Sequence, residues 1–382
     1  MTRLLLISFS TFFVSQVFAQ ERDTVVHSIF LMGDAGEPDL KGSAVVKVLR
    51  EAVEACGENA TVVFLGDNIY PKGMPERQSR TFHRAEISLQ NQVGMLDGLE
   101  AKGIFIPGNH DWAHWGRRGL AYILNEQRWI DSLQRGNLSF LPGNGCPGPS
   151  LVALTDNTLL LVLDTQWFLH RWDKTRDAKI CGAATTREAL AVVEEIFKTH
   201  PGKRIIVAAH HPLITYGEHG GVFSWKTHLF PLLDVNRRLY LPLPVIGSLY
   251  CFYRKWFGSI QDTAHPVYKE FSLALERIMD NYPGSVYVAG HEHALQYIVK
   301  DGVHFIVSGA GSKTQPVKKK GNAVFAEDVR GFVRISIYKH GGLSFSFYRA
   351  DETFPRGKTV LNKVLERAPA SLPQKEIHGA DH

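Results

Sequence analysis

The chain alternates between short apolar runs and longer amphipathic stretches. Residues 25–32, 61–65, 103–106, 158–163, 204–208, 285–289 and 303–307 are rich in β-branched and aromatic side chains bounded by Gly, Asn or Asp, which predicts strands. Between them, residues 43–56, 82–99, 120–135, 186–200 and 268–281 carry apolar positions at helical spacing. Such alternation predicts an α/β fold, and the nearly continuous apolar strands predict that helices cover the sheets. Further on, 332–338 and 343–348 alternate around Lys339-His340-Gly341-Gly342, a hairpin signal that adds an antiparallel portion. The expected architecture is two packed mixed β-sheets flanked by helices, an α/β/β/α sandwich. After Pro355 the sequence is polar and charged, so 355–382 are expected to form a tail.

Residues 221–266 break the pattern. They are crowded with aromatic side chains, and the apolar run 239–253 is interrupted by Pro242, Pro244 and Gly247 and followed by Arg254-Lys255. That run is too short and broken to span a membrane. Two readings stand: an inserted subdomain packed on the core, or a lid or membrane-surface patch beside the active site. Residues 20–354 are otherwise expected to form a single domain.

Composition narrows the class. With 382 residues, 44% of them hydrophobic, the chain can bury one large core. A net charge of +5 without a dominant basic cluster gives no sign of nucleic-acid binding, and Lys318-Lys319-Lys320 reads as a solvated turn. Residues 1–19 read as a secretory signal peptide: Arg3, an apolar stretch, then Val17-Phe18-Ala19 before Gln20. A secreted or periplasmic location is expected. The four cysteines, Cys56, Cys146, Cys181 and Cys251, allow three full pairings. Cys146 with Cys181 is favoured, since both lie in loop-like sequence.

Five polar motifs follow strand candidates in order: Gly33-Asp34-Ala35-Gly36, Gly66-Asp67-Asn68-Ile69-Tyr70, Gly108-Asn109-His110-Asp111, Ala208-Ala209-His210-His211 and Gly290-His291-Glu292-His293. Ligands of α/β sheets gather beyond the carboxyl ends of strands. The glycines are expected to permit the sharp turns that aim the side chains. Carboxylates, a phenol, an amide and imidazoles in this number suit a pair of cations with one bridging carboxylate, for which Asp67 is the candidate. Two such ions would neutralise a phosphate ester and lower the pKa of a bound water, so the expected reaction is in-line attack of a metal-bound hydroxide. His291 and His293, two apart in an extended segment, would each reach a different ion. Tyr70 ligates only as phenolate, which favours Fe(III) and a mixed pair.

The motif set GDxG, GDxxY, GNHD, VxxH (Val207 to His210) and GHxH resembles that of the purple acid phosphatases within the calcineurin-like metallophosphoesterases, most of all the small tartrate-resistant acid phosphatases. His210-His211-Pro212 with Gly217-Glu218-His219-Gly220, and the run from Gly290 to Tyr297 with Ser308-Gly309-Ala310-Gly311, strengthen the likeness, which covers about residues 29–312. It implies Fe(III) held by Asp34, Asp67, Tyr70 and His293. It implies a divalent ion, Fe(II), Zn(II) or Mn(II), held by Asp67, Asn109, His210 and His291. His110 and His219 would contact the phosphate, one of them protonating the leaving group. Asp111, Trp112 and Asp164 are expected only to shape the site. Ala35, Glu37-Pro38 and the 221–266 insertion depart from the pattern, at the lips of the cleft. The leading expectation is a phosphatase acting on small phosphate monoesters. The alternatives are a phosphodiesterase or nucleotide hydrolase on the same scaffold, and a non-catalytic surface binding protein.

Overall fold

The computed structural model describes residues 24–234 and 239–366; the expected signal peptide at 1–19 lies outside them. Two seven-stranded sheets form the centre. The first runs β4 (Leu138–Phe140), β3 (Lys102–Phe105), β2 (Ala60–Phe64), β1 (Val25–Met32), β12 (Gly331–Tyr338), β13 (Leu343–Arg349) and β14 (Lys358–Leu365). The second runs β5 (Ser150–Thr155), β6 (Thr158–Val162), β7 (Arg204–Ala208), β8 (Val286–Ala289), β10 (Val303–Ser308), β9 (Leu295–Lys300) and β11 (Ala323–Glu327). Strands β1 to β4 are parallel, as are β6, β7, β8 and β10, while the remaining pairs are antiparallel.

The central strands are apolar on both faces, and alternate residues serve different layers. Ile29, Leu31, Val63 and Leu65 meet Leu160, Val162, Ile206 and Val288 between the sheets. Their neighbours Phe30, Met32, Val62 and Phe64 turn outward into the cluster that the helices complete. Helix α1 (Ala44–Glu54), capped by Ser43, buries Val45, Val48, Leu49 and Val53, spaced as one helical stripe. Helices α2 (Phe82–Val93) and α3 (Gly119–Ser132) join it in that cluster through Leu89 and Ile123. Short α4 (Thr165–Leu169) and α5 (Ala178–Cys181) precede α6 (Thr186–Thr199), whose Thr185 and Glu188 form a capping box. With α9 (Pro266–Asp280), α6 completes the helical layer through Val193 and Leu275. Each buried side chain of this size contributes about 1.5–3 kcal/mol relative to an exposed one. The predicted strands and helices are all present, and Cys146–Cys181 is a disulfide.

One expectation is corrected. The tail expected from 355 begins with a strand: β14 pairs antiparallel with β13 at the sheet edge, and Arg204 donates to the Glu366 carbonyl (3.0 Å). Its sequence reads as polar because an edge strand turns lysines and asparagine to water, while Val360, Leu361 and Leu365 pack inward. The interrupted run in the insertion is helical. Helices α7 (Trp225–Leu229) and α8 (Pro244–Trp256) pack on each other, and Pro244 stands at the start of α8, where its missing N–H breaks no bond. Gly247 lies so close to the His228 carbonyl that a Cβ would stand 2.1 Å from it.

Candidate metal centre

The loops after β1, β2, β3, β7 and β8 converge, tied by main-chain bonds from Asp34 to Gly66 (3.0 Å) and from Gly290 to the His210 carbonyl (2.9 Å). The glycines act differently from expectation. Of the five at issue only Gly66 has positive φ (88°). Gly33, Gly36 and Gly108 are needed for space: a Cβ would stand 2.9 Å from Gly290 Cα, 2.5 Å from the Asp67 carbonyl and 2.3 Å from Asp67 N respectively. The left-handed turns fall on Asp34 (58°), Asp67 (54°) and His291 (67°) themselves. A non-glycine residue held there costs of order 1–3 kcal/mol, and such strain concentrates at functional sites.

The seven candidate ligands form two triangles with Asp67 between them. In the first, Tyr70 Oη donates to Asp34 Oδ1 (3.0 Å) and lies 3.2 Å from His293 Nε2, which is 3.2 Å from Asp34 Oδ1. In the second, Asn109 Oδ1 lies 2.9 Å from His210 Nε2 and 3.0 Å from His291 Nδ1, with the two nitrogens 3.2 Å apart. Asp67 Oδ1 lies 3.5 Å from His210 Nε2, and Asp67 is near enough to Tyr70 for its charge to raise the phenol's pKa. The extended geometry expected for His291 and His293 is absent, because residues 291–294 bend; the rings still reach different triangles.

Both ring tautomers of the second triangle are set from behind. His210 Nδ1 donates to the Leu65 carbonyl (2.8 Å) and His291 Nε2 to the Gln261 carbonyl (3.0 Å). Their other nitrogens are thereby lone-pair acceptors, facing each other and an amide oxygen. Three acceptors with no proton among them repel unless a cation lies between. Donor atoms around one ion at about 2.1 Å stand about 3 Å apart in octahedral geometry, as these do.

The electrostatics agree. Burial lowers the pKa of His210, His291 and His293, keeping them in the neutral, metal-binding form. Burial and the neighbouring Asp67 raise Asp34. Burial also opposes ionisation of Asp67, but the His110 ring and the hydrogen bond from the His110 amide favour its carboxylate and help to hold the carboxyl low. Burial, Asp34 and Asp67 push the Tyr70 phenol well above its ordinary value, so only a strongly acidic cation would displace its proton. Three acids buried together fit a site made for positive charge.

His110 and His219 flank this cage. His110 Nδ1 donates to the Pro71 carbonyl (2.7 Å), and its Nε2 lies 3.8 Å from Asp67 Oδ2. The His219 ring packs on His291, centroids 4.0 Å apart, and its Nδ1 donates to Asp262 Oδ1 (2.9 Å). Asp111 pins the second loop by accepting from Asn68 N, Ile69 N and Gly108 N (2.8–3.1 Å). Asp164 accepts from Trp112 Nε1 (2.8 Å) and caps α4, and burial raises its pKa to about 7. His211 is within reach of the cage, yet Thr165 and Gln261 engage both its nitrogens, which makes it a buttress.

Sequence reasoning missed four residues. Glu292, between two candidate ligands, accepts from the amides of Glu218, His219 and Gly220 (2.7–3.2 Å) and so holds the His219 loop. Its place inside the GHxH motif was the available signal. Asp262 and Arg254 lie in the insertion, where nothing in the sequence marks them. Arg254 donates to both Asp262 oxygens (2.6 and 3.1 Å) and to Glu218 (2.7 Å). Lys313, just past the SGAG segment, stands 3.4 Å over the Tyr70 ring.

The calcineurin-like phosphoesterase profile matches residues 28–295, well over half of the chain. The chain belongs to the calcineurin-like phosphoesterase family. Members of this family are hydrolases of phosphate esters, and this phosphoesterase carries the family's two mixed sheets flanked by helices. It is 22% identical to tartrate-resistant acid phosphatase type 5 of Sus scrofa over 72% of this chain and 65% of that protein, so it spans just under two thirds of that relative. It is 23% identical to purple acid phosphatase 4 of Arabidopsis thaliana, over 84% of this chain and 79% of that one. Among solved structures, a purple acid phosphatase from yellow lupin seeds shares the fold at TM-score 0.53 and 12% identity, covering 92% of this chain and 57% of that one. GAP50, described as the anchor in the inner membrane complex of Plasmodium, does so at 0.58 and 13%, covering 91% and 90%.

Replacing Glu292 with Ala should strand the three amides that it holds, one buried and two partly buried. We expect unfolding to be easier by about 1–3 kcal/mol or more in urea titration, with reduced turnover. An unchanged midpoint would show that the His219 loop is held by other contacts.

Proposed function

We propose that this phosphoesterase hydrolyses small phosphate monoesters with two cations. Asp34, Tyr70 and His293 would hold one ion and Asn109, His210 and His291 the other, with Asp67 placed between the two sets to serve both. The observation that carries this reading is the triangle of lone pairs at Asn109, His210 and His291, which has no proton to share. Tyr70 favours Fe(III) on its side, with Fe(II), Zn(II) or Mn(II) opposite. When bound, such a pair neutralises phosphate oxygens and acidifies a water molecule.

The chain's own residues do the rest. His110 and His219 take the phosphate oxygens between them. Asp262 holds His219 Nδ1–H, which leaves Nε2 to carry the proton for the leaving alkoxide. The rings of His110, His210, His219 and His291 are fixed before substrate arrives, because each has a main-chain or carboxylate partner behind it. Export to the periplasm or outside the cell is supported by residues 1–19 and by the Cys146–Cys181 disulfide. N-terminal sequencing of the exported chain should then begin at Gln20.

Activity is tested on a simple monoester and a diester in parallel, with and without a chelator. We expect the monoester to be preferred, chelation to abolish turnover and Asp67→Ala to lower kcat by at least about a thousandfold. Near-normal turnover in that variant would refute the bridge, and preference for the diester would move the reading to a phosphodiesterase.

The pH profile tests Asp262. Burial works against a charged imidazole at His219, but the Asp262 hydrogen bond and the charges of Glu292 and Asp262 outweigh it and raise its pKa. A proton needed on His219 is present below that pKa, so activity falls as pH rises through it. Asp262→Asn removes the raising charge and should move this falling limb of kcat/KM to lower pH. A limb that stays put would mean that the titrating group is another one.

A further inference from the structure

Helix α8 wears its apolar face on the outside. Gly247, Cys251 and Arg254 point inward and are buried. Val245, Ile246, Leu249, Phe252, Tyr253 and Trp256 point outward, with Val245 71%, Leu249 63% and Trp256 62% exposed. Their spacing marks one continuous face of a helix. Trp225, Tyr240 and Phe257 extend it, so that more than half of the large hydrophobic side chains exposed among the described residues fall between 225 and 257. A patch of this kind marks a surface that is covered in use.

Charge chooses the partner. Between His219 and Gln261 the sequence holds Lys226, Arg237, Arg238, Arg254 and Lys255 against a single acid, Asp234. Arg254 is spent on Asp262 and Glu218, while Lys226 and Lys255 are exposed beside the patch. A second copy of the chain would set like charges against one another, whereas an anionic lipid surface complements them. Tyr and Trp prefer the headgroup level, where one end of the ring is wet and the other apolar. The 13 residues of α8 extend about 20 Å, and no helix of the described residues is long and apolar enough to cross a membrane. An amphipathic helix of this length lies in the interface plane.

We propose that α8 seats the protein on an anionic lipid bilayer, with Leu249, Phe252 and Trp256 among the acyl chains and Lys226 and Lys255 at the headgroups. The opposite side of the same helix carries Arg254, which holds Asp262 behind His219. Seating therefore brings the candidate centre to within one helix of the lipid surface. Lipid binding needs no turnover and is measured apart from it.

The test is sedimentation of the full chain with vesicles of phosphatidylcholine and phosphatidylglycerol, and with vesicles of phosphatidylcholine alone. The wild type should pellet with the anionic vesicles, more weakly as salt rises. The double substitution Leu249→Glu/Phe252→Glu should weaken partitioning at least about tenfold, the worth of one buried side chain of this size. A circular-dichroism melt checks that it folds; if it does not, Trp256→Ser tests the same face. A wild type that stays in the supernatant would overturn the proposal, as would equal pelleting of a folded variant. So would a lipid-free dimer that the substitutions dissociate, since a second copy would then be what covers α8.

Discussion

Three acceptor atoms aimed at one point, with no hydrogen between them, are the constraint on which the rest of the site depends. Asn109, His210 and His291 come from three separate loops, and each is turned so that a lone pair faces the others. Left alone this arrangement is repulsive. It is tolerated because the carbonyls of Leu65 and Gln261 take the opposite ring protons and fix the tautomers. The left-handed backbone at Asp34, Asp67 and His291 is further strain kept in the same place. Packed sheets supply the stability that holds such strain, and the proposed pair of cations would relieve it.

Two buried carboxylates act as rivets for this arrangement, though neither is a candidate ligand. Asp111 gathers the amides that follow Asp67, and Glu292 gathers those around His219. Each sits inside a motif whose neighbours point at the cage. One short segment thus supplies both the chemistry and the fastening of the next loop. The insertion adds a third support through Arg254 and Asp262, so what lies outside the shared motifs still bears on the candidate proton donor.

Much of this was legible in the sequence for a physical reason. A strand buried on both faces is an unbroken apolar run, and a polar motif at its end has nowhere to point except the sheet edge, so Asp34, Asp67, Asn109, His210 and His291 could be placed together from the chain alone. The glycines were visible, but not their purpose. Gly36 and Gly108 exist because another loop's backbone occupies the space of a side chain, a contact that sequence does not show. β14 was missed because an edge strand must look polar. Pro244 interrupts an apolar run in the sequence yet stands in the first turn of α8, where proline is tolerated. Asp262, Arg254 and Lys313 act only through partners brought near by the fold, and spacing carries no trace of them.

Metal content measures the central claim most directly. The purified protein, analysed by plasma mass spectrometry against its chain concentration, should hold two transition-metal ions per chain, one of them iron. A single ion per chain, or none after exposure to excess iron, zinc and manganese, would contradict a shared Asp67 and the cage built around it.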